Sequence, residues 1–421
     1  MTLNRRQAIA ATAALFAAAR AATPRGAFAQ SPTTPEVRKA VLGYIALTDA
    51  APLIIAKEKG IFAKYGLPDV EVSKQASWGA TRDNIVLGGE RGGIDGAHIL
   101  SPLPYLIHTG RVTQNNQPVP MVLLARLNTN GQAISVAEKH KPLGARLDAS
   151  PLRRAMNRES KFAMTFRGGT HDLWIRYWLA AGGIDPDGDV QTIVVPPPQM
   201  VANMKVNTMD AFCVGEPWND QLVNQRIGYS ALVTGELWRD HPEKALGMRA
   251  DWVERHPRAT EALTAAVIEA QRWCDADANK PEMCSIIGRR AWFNVPVPDI
   301  LPRSQGNIDY GDGRRVENFP LRMKFWRDHA SYPFPSHDLW FLTEDIRWGV
   351  LPSNTDAKAL IAQVNREGIW RAAAERAGVP ASEMPSGPSR GRETFFDGKV
   401  FDPEDPAAYL ASLTIKKLAG A

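Results

Sequence analysis

The sequence predicts an α/β protein of two related lobes with a cleft between them, and three observations carry that prediction. Apolar, strand-like runs alternate with helix-like segments, which argues for parallel sheets with crossover helices. The alternation occurs twice, in the same order. The third strand of each stretch opens on an aspartate, Asp95 or Asp210, and a proline, Pro102 or Pro217, follows seven positions later. Open α/β sheets place ligands beyond the carboxyl ends of their strands, so chemistry is expected at the strand-to-helix turns and in the cleft.

In the first stretch, 41–47 reads as a strand, 51–59 as a helix ending before Gly60, 70–73 as a second strand, 82–87 as a second helix and 94–99 as the third strand. In the second, 161–166 is a strand, 171–181 a helix ending before Gly182, 191–195 a strand, 199–206 a helix and 209–214 a strand. From about 250 the chain reads as helical, most clearly over 260–275, with proline-rich breaks at 296–302, 332–335 and 380–388. This part is expected to pack back on the first lobe. Lobe one is then discontinuous, 38–130 with 250–421, and lobe two is 131–249, with hinge crossings near 128–132 and 241–249.

Residues 1–29 stand apart from the fold. Arg5 and Arg6 precede an Ala-rich apolar run over 8–22, and Ala27 and Ala29 provide small residues at cleavage-site spacing before Gln30, the pattern of an export signal. The paired arginines point to the twin-arginine route. The run is shorter than the roughly 20 residues that cross a hydrocarbon core, and no lipoprotein cysteine adjoins the cleavage site, so no membrane anchor is expected. The mature chain should be soluble and outside the cytoplasm. Removing the segment leaves 46 basic against 45 acidic residues, a net charge of +1, which gives no reason to expect a nucleic-acid partner. Three cysteines are too few for a disulfide framework; Cys274 and Cys284 could pair, while Cys213 sits in an apolar run and reads as a buried thiol.

Five places could carry chemistry. Ser77 can cap the helix that follows Lys74–Ser77, and the free amides of that first turn favour an anion beside the flat wall and indole donor of Trp78. Gln132 closes a polar turn, 128–132, and could donate an amide hydrogen inward. Arg167, Gly168, Gly169 and Thr170 lead into a helix whose first turn holds His171, with Thr170 as a capping hydroxyl and Asp172 complementing the dipole. Gly215, directly after the third strand of lobe two, would let backbone approach a ligand. Lys244 lies in the polar link His241-Pro242-Glu243-Lys244-Ala245-Leu246-Gly247 and could reach into the cleft with a positive charge. For each, residue type alone favours a plain structural role: a core aromatic, a solvated turn, a structural histidine, a solvated loop lysine.

The segments KQASWGATRDN, GGIDGAHILSPLPY, LNTNGQAIS, RGGTHDLW and CVGEPWN, in this order, resemble the nitrate-binding proteins of ABC transporters and their relatives that bind bicarbonate or sense nitrate. The resemblance is strong from about 41 to 252 and looser beyond. It implies a type II periplasmic-binding-protein fold, two-lobed and C-shaped, with an oxyanion in the interlobe cleft held by Trp78, Gln132, His171, backbone near Gly215, and Lys244. The bicarbonate binders are similar but carry an acidic residue in place of the lysine and use a metal ion.

Physical chemistry agrees with that discrimination. A buried anion needs compensating charge and donors, because an unpaired buried ion costs several kcal/mol. Nitrate has no proton to give, so a site of donors alone suits it. The expectation is a periplasmic nitrate- and nitrite-binding protein, a monomer without cofactor or metal, that feeds the membrane permease of an ABC importer and catalyses nothing itself. The alternatives are a bicarbonate or other oxyanion binder of the same fold, a nitrate-responsive regulator, and a hydrolase using His171 with Asp172 or Glu216; no nucleophile-elbow, metal-ligand or phosphate-loop pattern accompanies the last.

Overall fold

The computed structural model describes residues 34–419, so the expected export signal lies outside the described residues. Two five-stranded sheets repeat one topology. The first holds β1 (Val41–Tyr44), β2 (Glu71–Lys74), β3 (Gly96–Leu100) and β4 (Met121–Arg126). The second holds β5 (Gln132–Ala137), β6 (Lys161–Met164), β7 (Gln191–Val194), β8 (Ala211–Gly215) and β9 (Gly228–Val233). A tenth strand, β10 (Lys244–Arg249), returns to the first sheet. The orders are β2-β1-β3-β10-β4 and β7-β6-β8-β5-β9. In each sheet the first three strands are parallel, and the last two pairings are antiparallel. Helices α1 (Ala51–Glu58) and α2 (Trp78–Leu87) cover the first sheet, and α3 (Thr170–Ala181) packs on β6 and β8 of the second.

The repeated aspartates have a structural cause. Asp95 Oδ2 accepts from the Val41 amide at 2.8 Å, and Asp210 Oδ2 accepts from the Lys161 amide at 2.9 Å. The backbone amides of the same two aspartates donate to Val41 O and Lys161 O, both at 2.8 Å. Each aspartate therefore closes the open end of the first parallel strand of its lobe, satisfying a terminal amide that would otherwise need water.

Two expectations change. The run 241–247 is not a loop: from Lys244 the chain pairs with both β3 and β4, and Ala245, Leu246 and Met248 are fully buried. By sheet membership lobe one resumes at 244 rather than 250. The C-terminal part does not lie on the first lobe alone. Its long helix α4 (Pro257–Asp275) packs on α1, but α5 (Pro335–Arg347) packs on α3 of the second sheet. The reason lies in α3, where every residue but Ala181 is buried, so a second layer must cover it. Trp174 stacks on Trp340 of α5 with ring centroids 4.9 Å apart. Arg303 Nη1 pairs with Glu216 Oε1 at 2.7 Å, and Tyr177 Oη donates to Asp397 Oδ1 at 2.9 Å, which extends the cover. Cys274 and Cys284, like Cys213, are free and buried, so the pairing considered for them is not formed. Among the described residues no helix is long and apolar enough to cross a membrane.

Asp95→Ala and Asp210→Ala should each lower stability by about 1–3 kcal/mol, the cost of leaving a strand-end amide without its acceptor. Urea denaturation measures it, and an unchanged midpoint in both variants would refute the closing role.

Candidate functional site

Gln132 is the first residue of β5 and Lys244 the first of β10, the two antiparallel strands that the chain enters immediately after each crossing. Their surroundings match. Gln132 pairs with Gly215 at the end of β8, and Lys244 pairs with Leu100 at the end of β3. Both strands carry an irregularity after their third residue, between Ile134 and Ser135 and between Leu246 and Gly247. The crossings themselves touch, through a bridge between Thr129 and Pro242, and Thr129 also pairs with Lys324 of the C-terminal part. The polar turn 128–132 is therefore covered rather than solvated.

The side chains that project from these strand ends and from the neighbouring helix starts meet at one buried point. Lys244 Nζ lies 2.9 Å from Asp49 Oδ2, 2.9 Å from Glu243 Oε1 and 3.4 Å from His171 Nε2. Gln132 Nε2 donates to Asp49 Oδ2 at 3.0 Å. A Cβ placed on Gly215 would stand 3.4 Å from Asp49 Oδ2 and 3.5 Å from Gln132 Nε2, so this glycine backs onto the same atoms. The Trp78 ring faces Lys244 Nζ at 5.8 Å. Trp78, Asp49, His98, His171, Glu243 and Lys244 are all 0% exposed, so the charges among them are dehydrated and face one another. All five residues expected from the sequence converge here.

Local structure explains the aim of each group. Ser77 caps α2, its hydroxyl accepting from Ala80 N at 3.1 Å, and so fixes Trp78 at the first turn. The Trp78 indole nitrogen is buried and has no acceptor. His171 stands in the first turn of α3 with Nδ1 2.6 Å from Thr165 Oγ1, which leaves Nε2 toward Lys244 and Glu243. Thr170 does not cap α3; its hydroxyl donates to Glu243 Oε1, while Trp174 Nε1 donates to Glu243 Oε2 at 2.9 Å. Asp172 is engaged by Gly168 N and Arg176 Nε, and Glu216 by Arg303, so neither acid faces His171 as a hydrolytic pair would require.

Sequence reasoning missed Asp49, His98 and the role of Glu243. Asp49 occupies the turn between β1 and α1, the counterpart in lobe one of the turn that carries Thr170 and His171, and the internal repeat could have pointed to it. His98 Nε2 lies 2.6 Å from Asp49 Oδ1 on the far side of the carboxylate. The site is thus not built of donors alone, as expected, but holds two carboxylates beside its lysine.

Burial and charge set the protonation states. Burial would raise the Asp49 and Glu243 carboxyls, but the Lys244 ammonium, with His98 beside Asp49 and His171 beside Glu243, holds both below the usual range. Burial would lower Lys244, and Asp49 and Glu243 raise it above a free lysine. Burial pushes His171 and His98 down, and Lys244 adds to the effect on both.

Two sheets of one topology that meet at a sealed cluster of donors and charges form a two-lobed binding protein of the periplasmic-binding-protein fold. The chain belongs to the NMT1-like family, whose profile matches residues 33–288. It is 62% identical over 387 residues to the nitrate/nitrite binding protein NrtA of Synechocystis sp., covering 91% of this chain and 86% of that one. The crystal structure of the periplasmic nitrate-binding protein NrtA from Synechocystis matches with a TM-score of 0.90 at 62% identity, over 91% of this chain and 100% of that one. The bicarbonate-binding protein CmpA of Synechococcus elongatus is 47% identical over 397 residues, 91% of this chain and 88% of that one. The nitrate import ATP-binding protein NrtC of Synechocystis sp. is 35% identical over 379 residues, 89% of this chain but 55% of that one. The close relatives are binding proteins, not enzymes.

His241, buried at the second crossing with Nε2 2.8 Å from Thr234 Oγ1, is pushed down to about 4 by burial. Its folded pKa lies below the unfolded value of about 6.5, so the unfolded chain takes the proton first as pH falls. The stability from this residue is complete above about pH 6.5 and lost toward about pH 4, a loss of roughly 3 kcal/mol. Urea midpoints measured at about pH 7 and about pH 4.5 should fall accordingly, and His241→Gln should flatten the difference in part.

Proposed function

We propose that this chain is a periplasmic solute-binding protein that captures nitrate, and nitrite with it, and delivers it as a monomer to the membrane permease of an ABC importer. The observation that carries the reading is the convergence of Trp78, Gln132, His171, Gly215 and Lys244 on one buried point, with the Trp78 indole hydrogen lacking an acceptor. A buried donor without a partner is costly, and an oxyanion at this place would satisfy it. Residues 1–29 serve as the export signal in this reading, by the twin-arginine route, and the crossings at 128–132 and 241–243 act as the hinge. The 62% identity to a protein named for nitrate/nitrite binding supports the ligand, and the 35% identity to a nitrate import ATP-binding protein supports the transporter.

A second reading, a bicarbonate binder, draws on Asp49 and Glu243: bicarbonate has a hydroxyl to donate to a carboxylate, and nitrate has none. Lys244 favours nitrate, because it brings to the centre of the site a fixed cation that an anion can engage without recourse to a metal. Calorimetric titration of the mature protein with nitrate, nitrite and bicarbonate, each with and without calcium, decides between them.

Two substitutions test the residues. Trp78→Phe breaks no hydrogen bond within the protein, keeps an aromatic ring beside Lys244 and removes the free indole donor, so nitrate affinity should fall by about tenfold or more, as expected for one hydrogen bond to a charged acceptor. Lys244→Ala should weaken nitrate by at least about tenfold and also cost about 3–5 kcal/mol of stability, since Asp49 and Glu243 lose their shared cation. Parental affinity in either variant would remove that residue from the site.

A further inference from the structure

The charges that face the site do not balance. From lobe one come the Lys244 ammonium at the start of β10, the Asp49 carboxylate in the turn before α1, and His98 on β3. From the second crossing and lobe two come the Glu243 carboxylate, His241 and His171. One cation thus stands against two carboxylates, all of them fully buried. The neighbouring ionised groups are already compensated: Glu216 pairs with Arg303, Asp172 with Arg176, and Asp240 with Lys324. Cys213 on β8, beneath the cluster, is held as a neutral thiol by burial. No spare positive charge faces the site among the described residues named here, and with neutral imidazoles the cluster carries a net −1 before any anion arrives.

Adding a monovalent anion to that cluster would bury a net −2, at a cost that hydrogen-bond donors alone do not offset. The geometry points to a resolution: we infer that nitrate is bound together with one proton, taken up from solvent by the imidazole cluster, with His171 as the group placed to hold it. This rests on the nitrate reading above. His171 Nε2 lies between Lys244 Nζ, a donor at 3.4 Å, and Glu243 Oε1, an acceptor at 3.3 Å, so the neutral ring has one hydrogen to share between this nitrogen and the Nδ1 that faces Thr165. An anion that engages Lys244 needs a hydrogen, not a lone pair, at that nitrogen. The step is a simple protonation: the O–H bond of a hydronium or buffer acid breaks, an N–H bond forms on His171 Nε2, and the ring then donates through both nitrogens. Glu243 Oε1, 3.3 Å from Nε2, and Asp49 beyond Lys244 stabilise the imidazolium. The burial that keeps this ring neutral without ligand is what makes the uptake measurable, because it holds the proton off until the anion enters.

The test is calorimetry of nitrate binding to the intact mature protein in buffers of different ionisation enthalpy, with the dissociation constant followed from about pH 6 to about pH 9. The wild type should take up about one proton per nitrate, and its dissociation constant should rise by up to about tenfold per pH unit over part of that range. Asp49→Asn removes one of the two carboxylates and leaves the cluster neutral, so its proton uptake should fall toward zero and its affinity should become nearly independent of pH. A wild type that binds nitrate with no proton uptake and a flat pH profile overturns the inference while leaving the nitrate reading intact. So does an Asp49→Asn protein that still takes up a full proton. Absence of nitrate binding at every pH overturns the nitrate reading and the inference with it.

Discussion

The buried ammonium of Lys244 constrains the molecule around it. A lysine with no exposure must find opposite charge within a few ångströms or lose its proton, and it finds two carboxylates at 2.9 Å. These come from different parts of the chain. Asp49 belongs to the turn after β1, and Glu243 belongs to the crossing, tied in turn to Thr170 and Trp174 of α3. The same three charges that make the site polar therefore also join the first sheet to the helix that covers the second. A group that satisfies the lysine from outside would compete with these internal partners, so ligand binding and the contact between the two sides are coupled through one nitrogen atom.

That five dispersed segments meet at this nitrogen follows from the repeat. In each sheet the strand that has just crossed from the other lobe lies fourth in spatial order, beside the three parallel strands. The crossing strand runs antiparallel, so its first residue sits beside the carboxyl ends of the parallel strands, where the helix starts also lie. Gln132 and Lys244 hold that position in the two sheets, and Gly215 and Leu100 are their respective neighbours. The lobes differ in what they place there. Lobe two brings a glycine that lets Asp49 and Gln132 come close, whereas lobe one brings a leucine.

Most of this was readable from the amino-acid order, and the failures have physical causes. The alternation of strands and helices and the paired aspartates located both lobes, because each aspartate closes a strand end and its spacing is fixed by the sheet. Lys244 read as a loop residue because its strand contains Gly247 and follows three polar or helix-breaking residues, so no apolar period could develop. It is pairing with β3 and β4, a long-range fact, that makes the segment a strand. Asp49 and Glu243 were passed over because a search for an anion site looks for donors, and a carboxylate is ordinarily a surface group. Only the burial of Lys244 between them shows that they belong to the site. The C-terminal cover of α3 was likewise invisible, since a helix rich in Trp, Leu, Ile and Tyr announces that it is covered but not by what.

The anion preference of such a site is a matter of charge balance rather than of shape alone. With lysine at position 244 the cluster carries one net negative charge, and in the proposed scheme a single proton on an imidazole offsets the charge of an incoming monovalent anion. With an acidic residue at that position three carboxylates would face one another with no cation, and a proton would not suffice; only a metal ion could bring an oxyanion to the same place. Bicarbonate differs from nitrate in carrying a hydroxyl that a carboxylate accepts, so acidic neighbours are less hostile to it. On the proposed charge balance, the residue at position 244 sets whether Asp49 and Glu243 work as partners of a proton or of a metal, and the fold around them need not change for the preference to switch.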